Sequence, residues 1–399
     1  MKIVLPSANQ QLTNAEFDKC CRLIDYYVEE ANQMAPYSAA HDRPADLYDR
    51  GNVWKGGFVD MLLKMLISKK YNNINRLRLI GWHFSAYRLF DLASVVDPPA
   101  NQWFQNFYQN GIDEFPDDVD RIIMSAFDPA HRITPLLDRL NVVIDGVDPR
   151  YLVSQPMRFG ELAGEHYGYL INGDSVRYWG AIAAFYKLKL LERLERKIAE
   201  RGFCRVMEIG PGYGGLAYHL KKIYGDKIQF ILVDLVESLF FSSMYLTTLF
   251  PDEALFYTDQ DAISAKEKLV FVPAFRSPEF FAAVNDVDLC VNTVSMNEMS
   301  AAQVDYYGSR ISQALASDGV FFECNWAAAI AGPGRIDVKS FLALHFNDRL
   351  SVEGTEVAGD GNLDLWANAL PVRVEAAARQ AYENGVARYS RTAERRAVS

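Results

Sequence analysis

The stretch "VMEIGPGYGGLAYHL", residues 206–220, decides how the rest of the chain is read. An apolar, β-forming run ends at an acid, Glu208, and glycines then crowd together at Gly210, Gly212, Gly214 and Gly215 before a helix-like run begins. Glycines let the backbone approach a ligand with no side chain between, and the helix that follows offers unpaired N–H groups.

Outward from this loop, strand and helix signals alternate strictly. "CRVMEIG", "KIQFILVD", "KLVFVPA", "DVDLCVNTVS" and "GVFFECNW" read as strands. "GLAYHLKKIYG", "SLFFSSMYLTTLF", "SPEFFAAV" and "AAQVDYYGSRISQALA" read as the helices between them. Such alternation makes parallel strands with crossover helices, and near-continuous apolar strands imply a sheet covered on both faces. The expected fold is therefore α/β, a doubly wound Rossmann-like sheet over residues 176–375, with further strands within 340–375. The segment from Val176 to about Ala199 reads as one helix ahead of the first core strand. Residues 151–175 form a connector, with a hairpin turn placed at Asn172-Gly173. The polar tail, 376–399, is expected to fray.

Residues 1–150 read as a mostly helical region serving as a substrate lid or oligomerisation surface. A helix starts at a cap on Thr13 or Asn14, with Phe17, Cys20, Cys21, Ile24 and Val28 at helical spacing. The aromatic-rich stretch "NQWFQNFYQN", 101–110, packs between helices or walls an acceptor site; Trp82, Trp103, Phe104, Phe107 and Tyr108 supply the apolar surface. A chain of 399 residues with half of them hydrophobic supports more than one core. Its net charge of -10 makes nucleic acid a poor partner. No run of about 18 apolar residues suggests a membrane span. Five cysteines without zinc-ligand spacing read as buried thiols in a reducing, cytoplasmic setting. The expected partners are a small-molecule acceptor and, through the helical N-terminal region, a second copy of the chain as a homodimer.

The glycines alone do not name a ligand. Gly210, Gly212 and Gly215 satisfy the dinucleotide spacing G-x-G-x-x-G. Gly210, Gly212 and Gly214 equally fit the G-x-G-x-G spacing of loops that hold S-adenosylmethionine. Glu208 separates the two: a carboxylate does not suit a diphosphate, whereas a sulfonium and an ammonium welcome it. Asp234, at the end of the next strand, would accept from ribose hydroxyls in either case.

The stretches "MEIGPGYGG", "VDLVESLFFSSMYL" and "DLCVNTVSMNEMS" together resemble the sugar O-methyltransferases, a class I S-adenosylmethionine-dependent group. The resemblance rests on Glu208, Gly210, Gly212 and Gly214, then Asp234, Leu235, Glu237 and Leu239, then Asn292, Thr293, Ser295, Met296, Glu298 and Met299. Val236 stands where the family has proline. It covers residues 160–330 and implies S-adenosyl-L-methionine as cofactor, with Glu208, the three glycines, Asp234, Leu235, Asn292 and Ser295 around it. In that group the helix before the first core strand edges the methionine end of the cofactor, which implicates Arg177 and Tyr178; Asn297 joins them on the acceptor side.

A sugar hydroxyl needs a general base. Of His41, His83, His131, His166, His219 and His345, His166 in "GEHYGYL" is the candidate, and Glu298 is the other. His219 reads as a helix residue packed on the sheet. No metal is expected, because neither spaced histidines nor clustered carboxylates occur. The competing readings are a methyltransferase for a non-sugar metabolite (at O, N or C), a nicotinamide-dependent oxidoreductase, and a cofactor-binding scaffold without activity.

Overall fold

The computed structural model describes residues 2–4, 11–41, 47–48, 57–78, 112–119, 141, 144–161, 163–251, 254–258, 263–264, 268–326, 336–352, 361–369, 376 and 387–391. The aromatic stretch 101–110, Trp82, His83 and His131 lie outside these residues.

The expected strands form because their apolar runs are buried on both sides. β4 (Cys204–Ile209), β5 (Ile228–Asp234), β7 (Leu269–Pro273), β8 (Val287–Thr293) and β9 (Leu315–Trp326) run parallel, with the short β6 (Ala254–Phe256) at one edge. On the other side β11 (Gly361–Ala367) pairs antiparallel with β9, β10 (Asp348–Val352) antiparallel with β11, and β12 (Ala387–Arg391) antiparallel with β10. The order is β12-β10-β11-β9-β8-β4-β5-β7-β6. The sheet thus runs past residue 375, and part of the tail expected to fray is an edge strand.

Alternation sorts the strand residues onto two faces. Val206, Leu232, Val291 and Phe322 meet α4 (Gly173–Lys187), α5 (Leu190–Arg201), α6 (Gly215–Tyr224) and α7 (Val236–Leu249). Met207, Val233, Cys290 and Phe321 meet α8 (Ser277–Ala283), α9 (Ala301–Ala314) and α10 (Val338–Leu342). Burying each such side chain is worth about 1.5–3 kcal/mol. This is the doubly wound architecture expected.

Two expectations before the sheet are corrected. Asn172 is not in a hairpin turn; it caps α4, its side chain accepting from Ser175 N while Ser175 Oγ accepts from Asn172 N. Asparagine serves both purposes, and the serine three residues on decides for the cap. The turn falls instead at Tyr167 (φ 50°) and Gly168 (φ 80°), between β2 (Ala163–His166) and β3 (Tyr169–Ile171). β2 also pairs antiparallel with β1 (Lys2–Val4), making a separate small sheet. The single helix over 176–199 is two helices, broken where Lys189 adopts φ 61°.

At the N-terminus, α1 (Asn14–Ala40) begins at Thr13, whose cap is closed by Glu16; α2 (Gly57–Ile67) and α3 (Tyr71–Asn75) follow. α1 lies along α7, with Tyr27 5.3 Å from Phe240 and Tyr26 5.4 Å from Phe256, ring centre to centre. Arg276, just beyond β7, donates to Glu30 of α1 at 2.8 and 3.2 Å and to Gln33 at 3.0 Å. The helical region therefore shares one continuous apolar core with the sheet.

Candidate functional site

β4 lies where the strand order reverses: β5 to one side, β8 to the other. Ligands of open α/β sheets bind beyond the carboxyl ends of the strands at such a point. The glycine loop leaves β4 there, with Gly210, Gly212 and Gly214 at φ 70°, 54° and 83°. All three adopt the left-handed region that only glycine enters cheaply. At Gly210 a Cβ would stand 2.5 Å from Ser295 Cβ, and at Gly214 2.9 Å from Leu246 Cδ1, so the loop tolerates nothing larger.

Glu208, the last residue but one of β4, is buried, and its Oε2 has no hydrogen-bond partner. Desolvation pushes its pKa up to about 8, against the opposing pull of Arg177. A buried, unsatisfied carboxyl at the mouth of a cleft is a reservoir of unused attraction for a cation. Asp234, half-buried at the tip of β5, accepts from Gly212 N at 3.2 Å, Leu235 N at 2.8 Å and Ser238 Oγ at 2.6 Å. Burial nevertheless raises its pKa to about 7. A carboxylate has about four acceptor positions, so it retains capacity for one further donor. Leu235 supplies its backbone N–H to Asp234 and opens α7.

Asn292 and Ser295 occupy the opposite wall and are spent on holding it. Asn292 Nδ2 donates to Ile209 O at 2.7 Å and Ser295 Oγ at 2.5 Å, while its Oδ1 accepts from Asn325 Nδ2 at 2.8 Å and Met296 N at 3.3 Å. Both residues brace the glycine loop through Ile209 rather than offering an unused amide. Between them Val294 is forced to φ 72°, a costly conformation for a β-branched residue. That kink drives the chain into the short helix Ser295–Glu298 at the cleft. This helix ends at Glu298, half-buried, and buries Asn297, whose backbone N–H donates to Asn325 Oδ1 at 3.2 Å.

From α4, Arg177 crosses the switch point, its Nη2 donating to Thr293 O at 2.9 Å and Thr293 Oγ1 at 3.0 Å. Tyr178 lies over the start of α6, its ring filling the space a Cβ on Gly215 would need. Hydrogen bonds tie Asp234 to Gly212, Asn292 and Ser295 to Ile209, and Arg177 to Thr293, and Tyr178 packs on Gly215, so these residues lie with Glu208 and the glycine loop at the carboxyl ends of the strands. Asn297 and Glu298 lie in the short helix after β8.

The structure leaves His166 elsewhere. That residue ends β2 on the small sheet, its ring 4.1 Å from Tyr167, and shares no hydrogen bond or ring contact with the loop among the described residues. Burial lowers its pKa. His219 is a core residue, its Nδ1 2.8 Å from Gly215 O and its pKa lowered to about 4 by desolvation. No group of three metal-ligating side chains occurs among the described residues, and no helix there is long and apolar enough to cross a membrane. Two residues at the site carry no motif signal: Tyr213, inside the glycine loop, and Asp174, in the first turn of α4.

No family model and no curated protein matches the chain. Among solved structures it is similar to spermidine synthase from Thermotoga maritima at 16% identity, over 44% of this chain and 57% of that one, with a TM-score of 0.30. It is also similar to human methyltransferase-like protein 13 in complex with SAH (15% identity, 50% of this chain, 89% of that one, TM-score 0.32). A third is the mitomycin 7-O-methyltransferase, at 12% identity over 49% of this chain and 57% of that one, with a TM-score of 0.29. The chain spans less than two thirds of the length of the first and third of these.

Proposed function

We propose that this chain is a class I S-adenosylmethionine-dependent O-methyltransferase acting on a small molecule, with a sugar hydroxyl as acceptor. One observation carries the reading: the buried carboxyl of Glu208, unpartnered at Oε2, opens the glycine loop. A donor bearing ammonium and sulfonium charges would pair with it once its proton is released, whereas a diphosphate offers the carboxylate no counter-charge. Topology supports the same choice. The dinucleotide-binding sheet runs 3-2-1-4-5-6 with its strands parallel, while here the antiparallel β11 takes the sixth place, beside β9.

When bound, S-adenosylmethionine supplies an already activated methyl group. Glu208 and Arg177 would hold its charged methionine end, Asp234 its ribose hydroxyls, and the bare backbone of Gly210–Gly214 its body. What remains for the protein is alignment, worth several orders of magnitude when a nucleophile is held in line. Taking the proton from the acceptor hydroxyl is assigned to Glu298, which is half-buried in the short helix that follows β8; His166 stands on another sheet. The sugar acceptor rests on the sequence resemblance.

Two measurements test this. Calorimetry with S-adenosylhomocysteine and with NAD is expected to give binding of the first only. Transfer of label from S-adenosylmethionine to a panel of nucleotide sugars, glycosides and apolar hydroxy-metabolites then identifies the acceptor class. Transfer only to the apolar compounds would overturn the sugar assignment, and binding of NAD alone would overturn the methyltransferase.

A further inference from the structure

The glycine loop has a weakness. Three of its residues are glycines in left-handed conformations, and glycine loses more freedom on ordering than any other residue. Beside the buried Pro211, the loop sends the ring of Tyr213 into the interior, 4.4 Å from the ring of Tyr245. On the ring of Tyr213 lies the guanidinium of Arg78, its Cζ 4.1 Å from the centroid.

Arg78 is built into place. Its side chain is 2% exposed. Nε lies 2.6 Å from Glu161 Oε2, and Nη2 pairs with Asp174 in the first turn of α4. Glu161 is delivered by a turn with Phe159 at φ 58° and Gly160 at φ 74°, closed by Glu161 N donating to Arg158 O at 3.1 Å. Phenylalanine there is strained. The same turn fastens the arginine's backbone: Arg78 N donates to Phe159 O at 3.0 Å, and a Cβ on Gly160 would come within 3.0 Å of Arg76 Cα. Asn172 donates to Glu161 from the other side. One flat cation therefore joins the turn, the helix that carries Arg177 and Tyr178, and the donor loop.

We propose that Arg78 is a positioning residue for the donor: by holding the ring of Tyr213, it keeps the Gly210–Gly214 backbone in the conformation that receives S-adenosylmethionine. The proposal rests on the methyltransferase reading. Lysine in its place keeps the charge between Glu161 and Asp174 but has no flat face to stack.

The test is calorimetry with S-adenosylhomocysteine on the wild type, Arg78→Lys, Tyr213→Leu and the double variant, with hydrogen exchange on each. Each single change is expected to weaken binding about tenfold, the scale of a desolvated cation–π contact. The double variant should bind no more weakly than Tyr213→Leu alone. In Arg78→Lys, exchange should quicken at residues 210–215 while β8 and β9 stay protected, which a general loss of packing would not produce. Wild-type affinity in Arg78→Lys, or losses that simply add in the double variant, overturns the proposal. Should Arg78→Lys fail to fold, unchanged affinity in Tyr213→Leu overturns it. If the wild type itself binds no S-adenosylhomocysteine, the donor-site reading falls and takes this one with it.

Discussion

Replacing Glu208 by glutamine should make the folded protein more stable and the donor site worse. The carboxyl's pKa moves from 4.5 to about 8, chiefly through desolvation. A carboxyl raised in the folded state contributes its full stability below 4.5 and loses it as pH rises towards 8. Between pH 4.5 and pH 7 that loss amounts to roughly 3 kcal/mol. Glutamine keeps the shape without the charge, so E208Q should recover up to about 3 kcal/mol at pH 7, read from chemical denaturation. The functional cost follows from the same shift. Near pH 7 the free protein holds this carboxyl roughly 90% protonated, and a cationic donor has to expel that proton to pair with it. Binding of S-adenosylhomocysteine, whose ammonium remains, should therefore release close to one proton. Its affinity should climb about tenfold per pH unit below 7 and bend over near 8. Calorimetry in phosphate and in Tris counts the proton, because observed heats differ by the buffers' ionisation heats. Asp234, at about 7, adds a fraction of its own in both proteins, so the decisive quantity is the difference in proton count between wild type and E208Q. No difference, or a wild-type affinity flat from pH 6 to 8, would refute the assignment of a buried, cation-seeking carboxyl.

Gly210→Ala should cost about 1–2 kcal/mol for the left-handed backbone and about 1–3 kcal/mol for the overlap with Ser295, measured by urea unfolding. Adding Ser295→Gly should relieve the overlap while losing the Ser295 bonds to Ile209 and Asn292, so the double variant should lose less than the sum of the two single changes. Arg177→Met removes the charge that holds the Glu208 pKa down and the bonds to Thr293; the bend in the affinity–pH curve should move to higher pH. Asn292→Ala removes one hydrogen bond each from Ile209 O, Asn325 Nδ2 and Met296 N, while Ile209 O keeps Ser295 and Asn325 keeps Glu323. It should destabilise by about 1 kcal/mol per bond lost, visible as a lower urea midpoint with an unchanged slope.

The parallel half of the sheet was legible because burial on both faces writes itself as unbroken apolar runs, as in Phe230–Val233 and Leu289–Val291. The donor loop was legible because its conformation demands glycine. The reading faltered where one residue type serves two structures, as at Asn172. It faltered where a break carries no proline or glycine, as at Lys189. The antiparallel pairing of β12 with β10 joins positions about 40 residues apart, which no local pattern announces. Arg78, Glu161 and Asp174 left no trace, because partners 83 and 96 positions apart make no local periodicity. His166 was chosen because its segment precedes the core and could fold over the site, but that segment forms a strand of the separate small sheet; a hairpin's docking leaves no local sequence pattern. Asn292 and Ser295 were found at the cleft, but only their hydrogen bonds reveal them as braces.

The seat of α1 on α7 bears on how this protein can be cut. A fragment beginning at residue 151 would carry the whole parallel sheet, yet it would strand the Arg276 guanidinium without its counter-ion and bare the rings of Phe240 and Phe256 to water. Such a truncation should aggregate on expression rather than yield a minimal enzyme.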